Sequence, residues 1–356
     1  MNGTTSPDVR YHPLWALTLS RIWEFIREPD AIFWVYIFPL VLMAALGIAF
    51  RNRPAEDFRI AVQQGAAAEA VVAQLQNDAR FRASICPLAE CRLKLRTGRA
   101  DVVILAADSS AGAQYEYLFD PDRPESVLAR HVVDGVLQQA AGRRDAAIVT
   151  NRPVQEPGSR YIDFLVPGLL GMGLMGGGLW GVGFAVVDLR LRKLLKRYLA
   201  TPMRRGHFLA SLVISRLIFT ATEVTLLLAF ARIFFQVACF GSYALVGLLI
   251  LLGSLQFAAI GLLVACRART IETVMGLMNA VMLPMWIASG IFFTIERFPE
   301  AVQPWLRLLP LTPLISALRA VMLEGAGLAS IGTEIAVIII WGAASAALAL
   351  RWFRWV

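Results

Sequence analysis

Six stretches of the chain stay apolar for long enough to cross a bilayer, where about 20 helical residues span the ~30 Å hydrocarbon core. The first, Ala31–Phe50, carries no charge, and the second, about residues 164–187, is rich in glycine. The third is Leu212–Phe235, the fourth Tyr243–Ala265 and the fifth about residues 273–293. The sixth, Glu334–Leu350, is followed by Trp352, Phe353 and Trp355, aromatics suited to a membrane interface. Between the first two stretches the pattern becomes that of a water-soluble domain. FRIAVQ (Phe58–Gln63) alternates like a strand, Ala66–Ala79 reads as a helix, and DVVILA (Asp101–Ala106) is a short buried-strand candidate. QYEYLF (Gln114–Phe119) alternates again, and the turn signal DPDRP (Asp120–Pro124) leads into a helix from Glu125 to about Ala141.

The reading is a mainly α membrane protein, with six transmembrane helices and an extracytoplasmic α+β domain between helices 1 and 2. Residues 1–30 form a tail with an amphipathic interfacial helix, 31–50 the first span and 51–160 the α+β domain. Residues 161–356 hold spans two to six, with a cytoplasmic coupling loop at 188–211 and an outer re-entrant or gate segment at 291–323. A hydrophobic fraction of 57% with 17% charged residues excludes an ordinary soluble chain and a disordered one.

The net charge of +8 is compatible with nucleic acid until the charges are placed. Arg10, Arg21 and Arg27 precede span one, seven Lys and Arg follow span two, Arg267 and Arg269 follow span four, and Arg351 and Arg354 close the chain. The short opposing connections hold fewer, so the positive-inside rule puts both termini in the cytoplasm and excludes nucleic acid as a partner. Span one begins after thirty residues and is long and aromatic, so it reads as an uncleaved anchor rather than a signal peptide.

Enzyme chemistry has no support. No G-x-x-x-x-G-K-[ST] loop is present, and His12, His131 and His207 are scattered, so no catalytic, cofactor or metal residues are assigned. Cys86 and Cys91 (CPLAEC) read as a short-loop disulfide on the oxidising side, with free thiols as the alternative. Within or beside the spans, Arg216, Glu223 and Glu272 are polar candidates, since charge there faces a partner or a wet cavity. Arg216 and Glu223 lie two turns apart, beyond a direct i,i+4 pair, so long side chains or a water would have to link them. The candidate roles are pathway lining or hydrogen-bonded packing.

Gly173, Gly177 and Gly181 repeat every four residues, a spacing that permits close helix approach. Prolines break 291–323 into short helices, with Phe292, Phe293, Trp305 and Leu309 as outer-gate candidates and an ordinary surface loop as the alternative. Trp15, Leu19, Ile22 and Ile26 share a face of an interfacial helix that would lie against membrane lipids. After span two, Leu191, Leu194, Leu195 and Tyr198 form a stripe among basic residues, ended by Thr201–Pro202. Such a helix either offers a soluble partner a grip or merely orients the spans.

The element Ala200–Thr201–Pro202 with Met203–Arg204–Arg205 resembles the coupling region of ABC-2 type transporter permeases. SGIFFTIERFPE (Ser289–Glu300), QPWLRLLPLTPL (Gln303–Leu314) and ALRAVMLEG (Ala317–Gly325) resemble the stretch after that family's fifth span, and REPDAIFW (Arg27–Trp34) its approach to span one. Where many members carry an acidic, Gly-Thr-containing segment, this chain has RLRKLLKR (Arg190–Arg197). The resemblance implies a permease subunit of an ABC exporter in a bacterial cytoplasmic (inner) membrane, moving a drug, lipid or glycolipid. It implies a dimer of separate P-loop ATPase subunits binding ATP and Mg, a second permease subunit met through spans one and five, and a periplasmic adaptor as a further partner. The ATPase would engage Leu191, Lys193, Leu194, Lys196, Arg197, Thr201, Pro202, Arg204 and Arg205. The competing reading is a non-transporting polytopic sensor or scaffold signalling through its outer domain.

Overall fold

A computed structural model describes residues 13–50, 57–109, 112–143, 158, 160–199, 205–266, 268 and 270–352. The chain divides into two compact units, Met1–Arg51 with Gln155–Val356, and Asn52–Val154.

The smaller unit is built on a four-stranded sheet of order β2-β1-β3-β4: β1 (Phe58–Gln63), β2 (Phe81–Cys86), β3 (Val102–Ser109) and β4 (Gly112–Leu118). β2 and β3 both run parallel to β1, and β4 closes antiparallel to β3. The central strand β1 is buried on both faces, as parallel strands covered by crossover helices must be. Ile60, Val62, Val102 and Ile104 pack under α2 (Ala68–Gln76) and α4 (Pro124–Ala140); Ala61 and Val103 pack under α3 (Leu88–Arg96). Neither β2 nor α3 was expected. β2 is an edge strand in which Phe81, Ala83 and Ile85 alternate with Arg82 and Ser84 over only five residues, with Ile85 exposed beside Arg82 and Ser84, and α3 buries only Cys91 fully. Cys86 and Cys91 are joined in a disulfide, Cα to Cα 5.8 Å, pinning the end of β2 to α3.

Among the described residues, the larger unit contains six helices long and apolar enough to cross a membrane. They are span one (Pro29–Ala49), span two (Tyr161–Leu191), span three (Gly206–Phe235), span four (Tyr243–Ala265), span five (Ile271–Ala288) and span six (Gly332–Trp352). Spans two and four form the middle: 61% and 56% of their most apolar stretch is buried, against 28% or less for the rest. The outer spans therefore present mostly apolar surface outward, which a helix tolerates in lipid.

Two local wide turns reshape this bundle. Phe33–Ile37 in span one is π-helical just before Pro39, which has no N–H to give the ladder. Leu179–Phe184 does the same inside the glycine run of span two. An i→i+5 turn keeps Gly178 and Gly183 on one face, and there the backbone of span two meets that of span four at Phe257 and Gly261. A Cβ at Gly183 would lie 2.5 Å from the Gly261 carbonyl oxygen.

Helix α1 (Pro13–Ile26) docks on span three, where Phe25 stacks on Phe219 at 4.1 Å between centroids. Ile22 is half-buried, whereas Trp15, Leu19 and Ile26 are exposed and are joined by Trp23. The expected four-residue face is thus split between a docked side and an outward apolar side. Late in the chain, α6 (Gln303–Arg307) is short and exposed, and α7 (Leu311–Glu324) is buried among spans two, four and six. Its Ile315 fills the notch at Gly171 and its Leu314 the notch at Gly253. Gly325, at φ +69°, ends α7 in the left-handed conformation that a side chain resists.

Candidate functional site

Three places in the membrane unit hold the residues singled out by sequence. The first is the corner between spans two and three. Both helices run further than hydropathy indicates: residues 188–191 continue span two and residues 205–211 begin span three, which leaves 192–204 to connect them. Arg192 caps span two, its Nε 2.9 Å from Asp188 Oδ1. Lys193 then adopts φ +58°, a conformation costly for a side chain, and turns the chain into the short helix α5 (Leu194–Leu199).

Leu195 is buried in a small cluster with Val186 and Leu189 of span two and Phe208 and Leu212 of span three, and Leu194 and Leu262 pack against it. Leu191, Lys193 and Arg197 stay exposed. Thr201, Pro202 and Arg204 lie outside the described residues, while Lys196 lies in α5 and Arg205 opens the helix of span three. The corner is therefore gripped from inside by leucine and phenylalanine and shows basic residues outward.

The second place is an ion pair. Arg216 Nη2 lies 3.0 Å from Glu223 Oε2, with side chains only 7% and 8% exposed. Seven residues of helix separate them, yet the contact is direct, because both side chains lean along span three in the groove it makes with span two. Arg216 also donates to the Gly173 carbonyl at 3.3 Å. The glycine stripe explains the room. A Cβ at Gly173 would collide with Glu223 Oε1, one at Gly177 with the Arg216 guanidinium, and one at Gly181 would press on Arg216 Cδ. The stripe expected to bring two helix backbones together instead seats charged side chains; close backbone approach falls to Gly178 and Gly183. Glu272 does not join this group: it is exposed in the first turn of span five, where a carboxylate favours the free N–H groups.

The third place is the opposite end of the bundle. Tyr161 Oη donates to the Phe292 carbonyl at 3.3 Å, and Trp341 Nε1 to that of Leu308 at 2.9 Å. Phe292 and Leu309 are half-buried, but Phe293 is 53% and Trp305 71% exposed, so within one copy these last two plug nothing.

One device escaped the sequence reading, which gave no arginine a helix-capping role. The last carbonyls of a helix lack intrahelical partners and sit at the negative end of its dipole. Arg160 donates to Phe235 O at 2.8 Å and Gln236 O at 3.4 Å, capping span three. Arg190 donates to Ala265 O, Cys266 O and Ala268 O at 3.2–3.3 Å, capping span four. Arg319 donates to Gly290 O just past span five, and its guanidinium lies 3.5 Å from the Phe164 ring centroid. The available signal was an arginine just inside the end of an apolar helix, or in a helix beside it.

Comparison with known proteins agrees with this architecture. The model of the ABC-2 family transporter protein family matches residues 30–351. ABC transporter G family member 20 of Dictyostelium discoideum is 28% identical over 185 residues, 51% of this chain and 25% of that protein. The inner membrane transport permease YadH of Escherichia coli K12 is 25% identical over 165 residues, 46% of this chain and 63% of YadH. The matched region thus spans less than two thirds of either relative's length. With a match over nearly the whole chain, and with six apolar helices interrupted by a small α/β domain in the order seen here, the chain belongs to the ABC-2 family of transporter proteins, the membrane permeases of ABC transporters.

Proposed function

We propose that this chain is the membrane half of an ATP-driven exporter for an amphiphilic or hydrophobic substrate, a drug, a lipid or a glycolipid. Two permease copies, or this chain with a close homologue, form the pathway, and a dimer of separate P-loop ATPase subunits binds ATP and Mg. The 192–204 corner and both termini lie in the cytoplasm of a bacterial inner membrane, and the α/β domain lies outside, within reach of a periplasmic adaptor.

The observation that carries this reading is the corner. Its outward side is basic and exposed, and its inward side is locked to spans two, three and four by Leu195, Leu194, Phe208 and Leu262. A push on α5 from a soluble partner is delivered to three spans at once. The apolar outward surfaces of spans one, five and six suit membrane lipid and a second copy.

The test is purification of the tagged chain from its native membrane in mild detergent, with partners identified by mass. A stoichiometric P-loop protein whose ATP turnover depends on the permease is the expected result, and charge reversal at Arg204 and Arg205 should weaken its association while the spans stay folded. A chain that comes out without an ATPase, in vesicles that hydrolyse no ATP, overturns the reading.

A further inference from the structure

We propose that Arg190 is the positioning residue that makes movement of the 192–204 corner a movement of the span four–five turn as well. This rests on the function proposed above. Arg190 stands one residue before the end of span two, next to the exposed Leu191 and three residues from the left-handed Lys193. Its Nη1 meets three carbonyl oxygens at once, Ala265 and Cys266 at the end of span four and Ala268 in the turn to span five. Such carbonyls lack intrahelical partners, and a guanidinium at the negative end of the dipole satisfies several of them with one charge.

The turn is tied onward. Cys266 Sγ donates to the Ala349 carbonyl of span six at 3.3 Å. A single side chain on the corner's own helix therefore ties span two to the end of span four and the turn before span five, and Cys266 carries that tie to span six. The leucine cluster, by contrast, reaches span four through Leu262. A lysine at the same place keeps the positive charge, but its ammonium is more strongly hydrated than a guanidinium and gives up water for the three carbonyls less readily.

The experiment uses the full permease–ATPase complex in lipid vesicles, with Cys239 and Cys266 changed to serine so that serine keeps the donor to Ala349. Spin labels are placed at the exposed positions 192 and 270 and their separation is measured by pulsed electron resonance, nucleotide-free and trapped with vanadate. With Arg190 present, the distance distribution should stay narrow and unchanged between the two states, because the two corners move together. In Arg190→Gln the distribution should broaden or shift on trapping, while ATPase co-purification and ATP hydrolysis remain.

Arg190→Lys should fall between, and it serves as the readable variant if Arg190→Gln does not assemble. A distance that changes equally in the parent and the variants overturns the proposal, as does one that changes in neither. Absence of a co-purifying ATPase from the parent complex overturns the exporter reading instead, so the two failures are distinguishable.

Discussion

Removing Glu223 is the most informative perturbation of the bundle. Arg216 would then be left 7% exposed with the Gly173 carbonyl as its remaining hydrogen-bond acceptor among the described residues. Breaking a buried ion pair by deleting one partner costs about 3–5 kcal/mol, because an uncompensated charge remains. A neutral interhelical hydrogen bond in a membrane protein averages only ~0.6 kcal/mol, so a loss above ~2 kcal/mol distinguishes the two. Glu223→Leu and Arg216→Leu should each fall in the higher range. The double substitution should cost less than either single one, since apolar residues replacing both partners leave no charge behind. The assay is reversible unfolding in mixed micelles by SDS titration, followed by tryptophan fluorescence and analysed as a double-mutant cycle. Glu223→Leu within ~0.5 kcal/mol of the parent, the range of an ordinary surface change, or single losses that simply add in the double variant, would refute the reasoning.

Other positions test the packing in the same assay. Gly177→Leu should abolish the folded bundle, because the guanidinium of Arg216 occupies the space of its Cβ, whereas Gly176→Ala, with nothing within 4 Å of that Cβ, should be neutral or stabilise by up to ~1 kcal/mol. Lys193→Gly should relieve a left-handed residue by about 1–2 kcal/mol and leave the corner intact, while Lys193→Val should destabilise it. In the α/β domain, alkylation of the unreduced chain should leave Cys86 and Cys91 unlabelled by mass, and replacing both with alanine should cost about 2 kcal/mol for so short a closed loop.

Membrane class, the six spans and the existence of the inserted domain are legible along the chain, because length and hydropathy are properties of a segment alone. The sequence also placed β1, β3, β4, α2 and α4 to within a few residues, since their apolar positions follow the period of the element they form. What it left undecided depends on neighbours. β2 is a six-residue edge strand whose alternation is too short to stand out and whose Ile85 stays exposed, and α3 reads as polar because it covers little more than Cys91.

Gly173, Gly177 and Gly181 announced a close contact, but only the tertiary structure decided that charged side chains and not a second backbone fill it. The same holds for Arg216 and Glu223, whose spacing along one helix forbids a regular i,i+4 pair, while the groove beside span two aligns them directly. Arg160, Arg190 and Arg319 belong to this group too. The span-end carbonyls that each one holds lie up to 78 positions away in the chain, and no local pattern records a helix end that arrives from another part of the sequence.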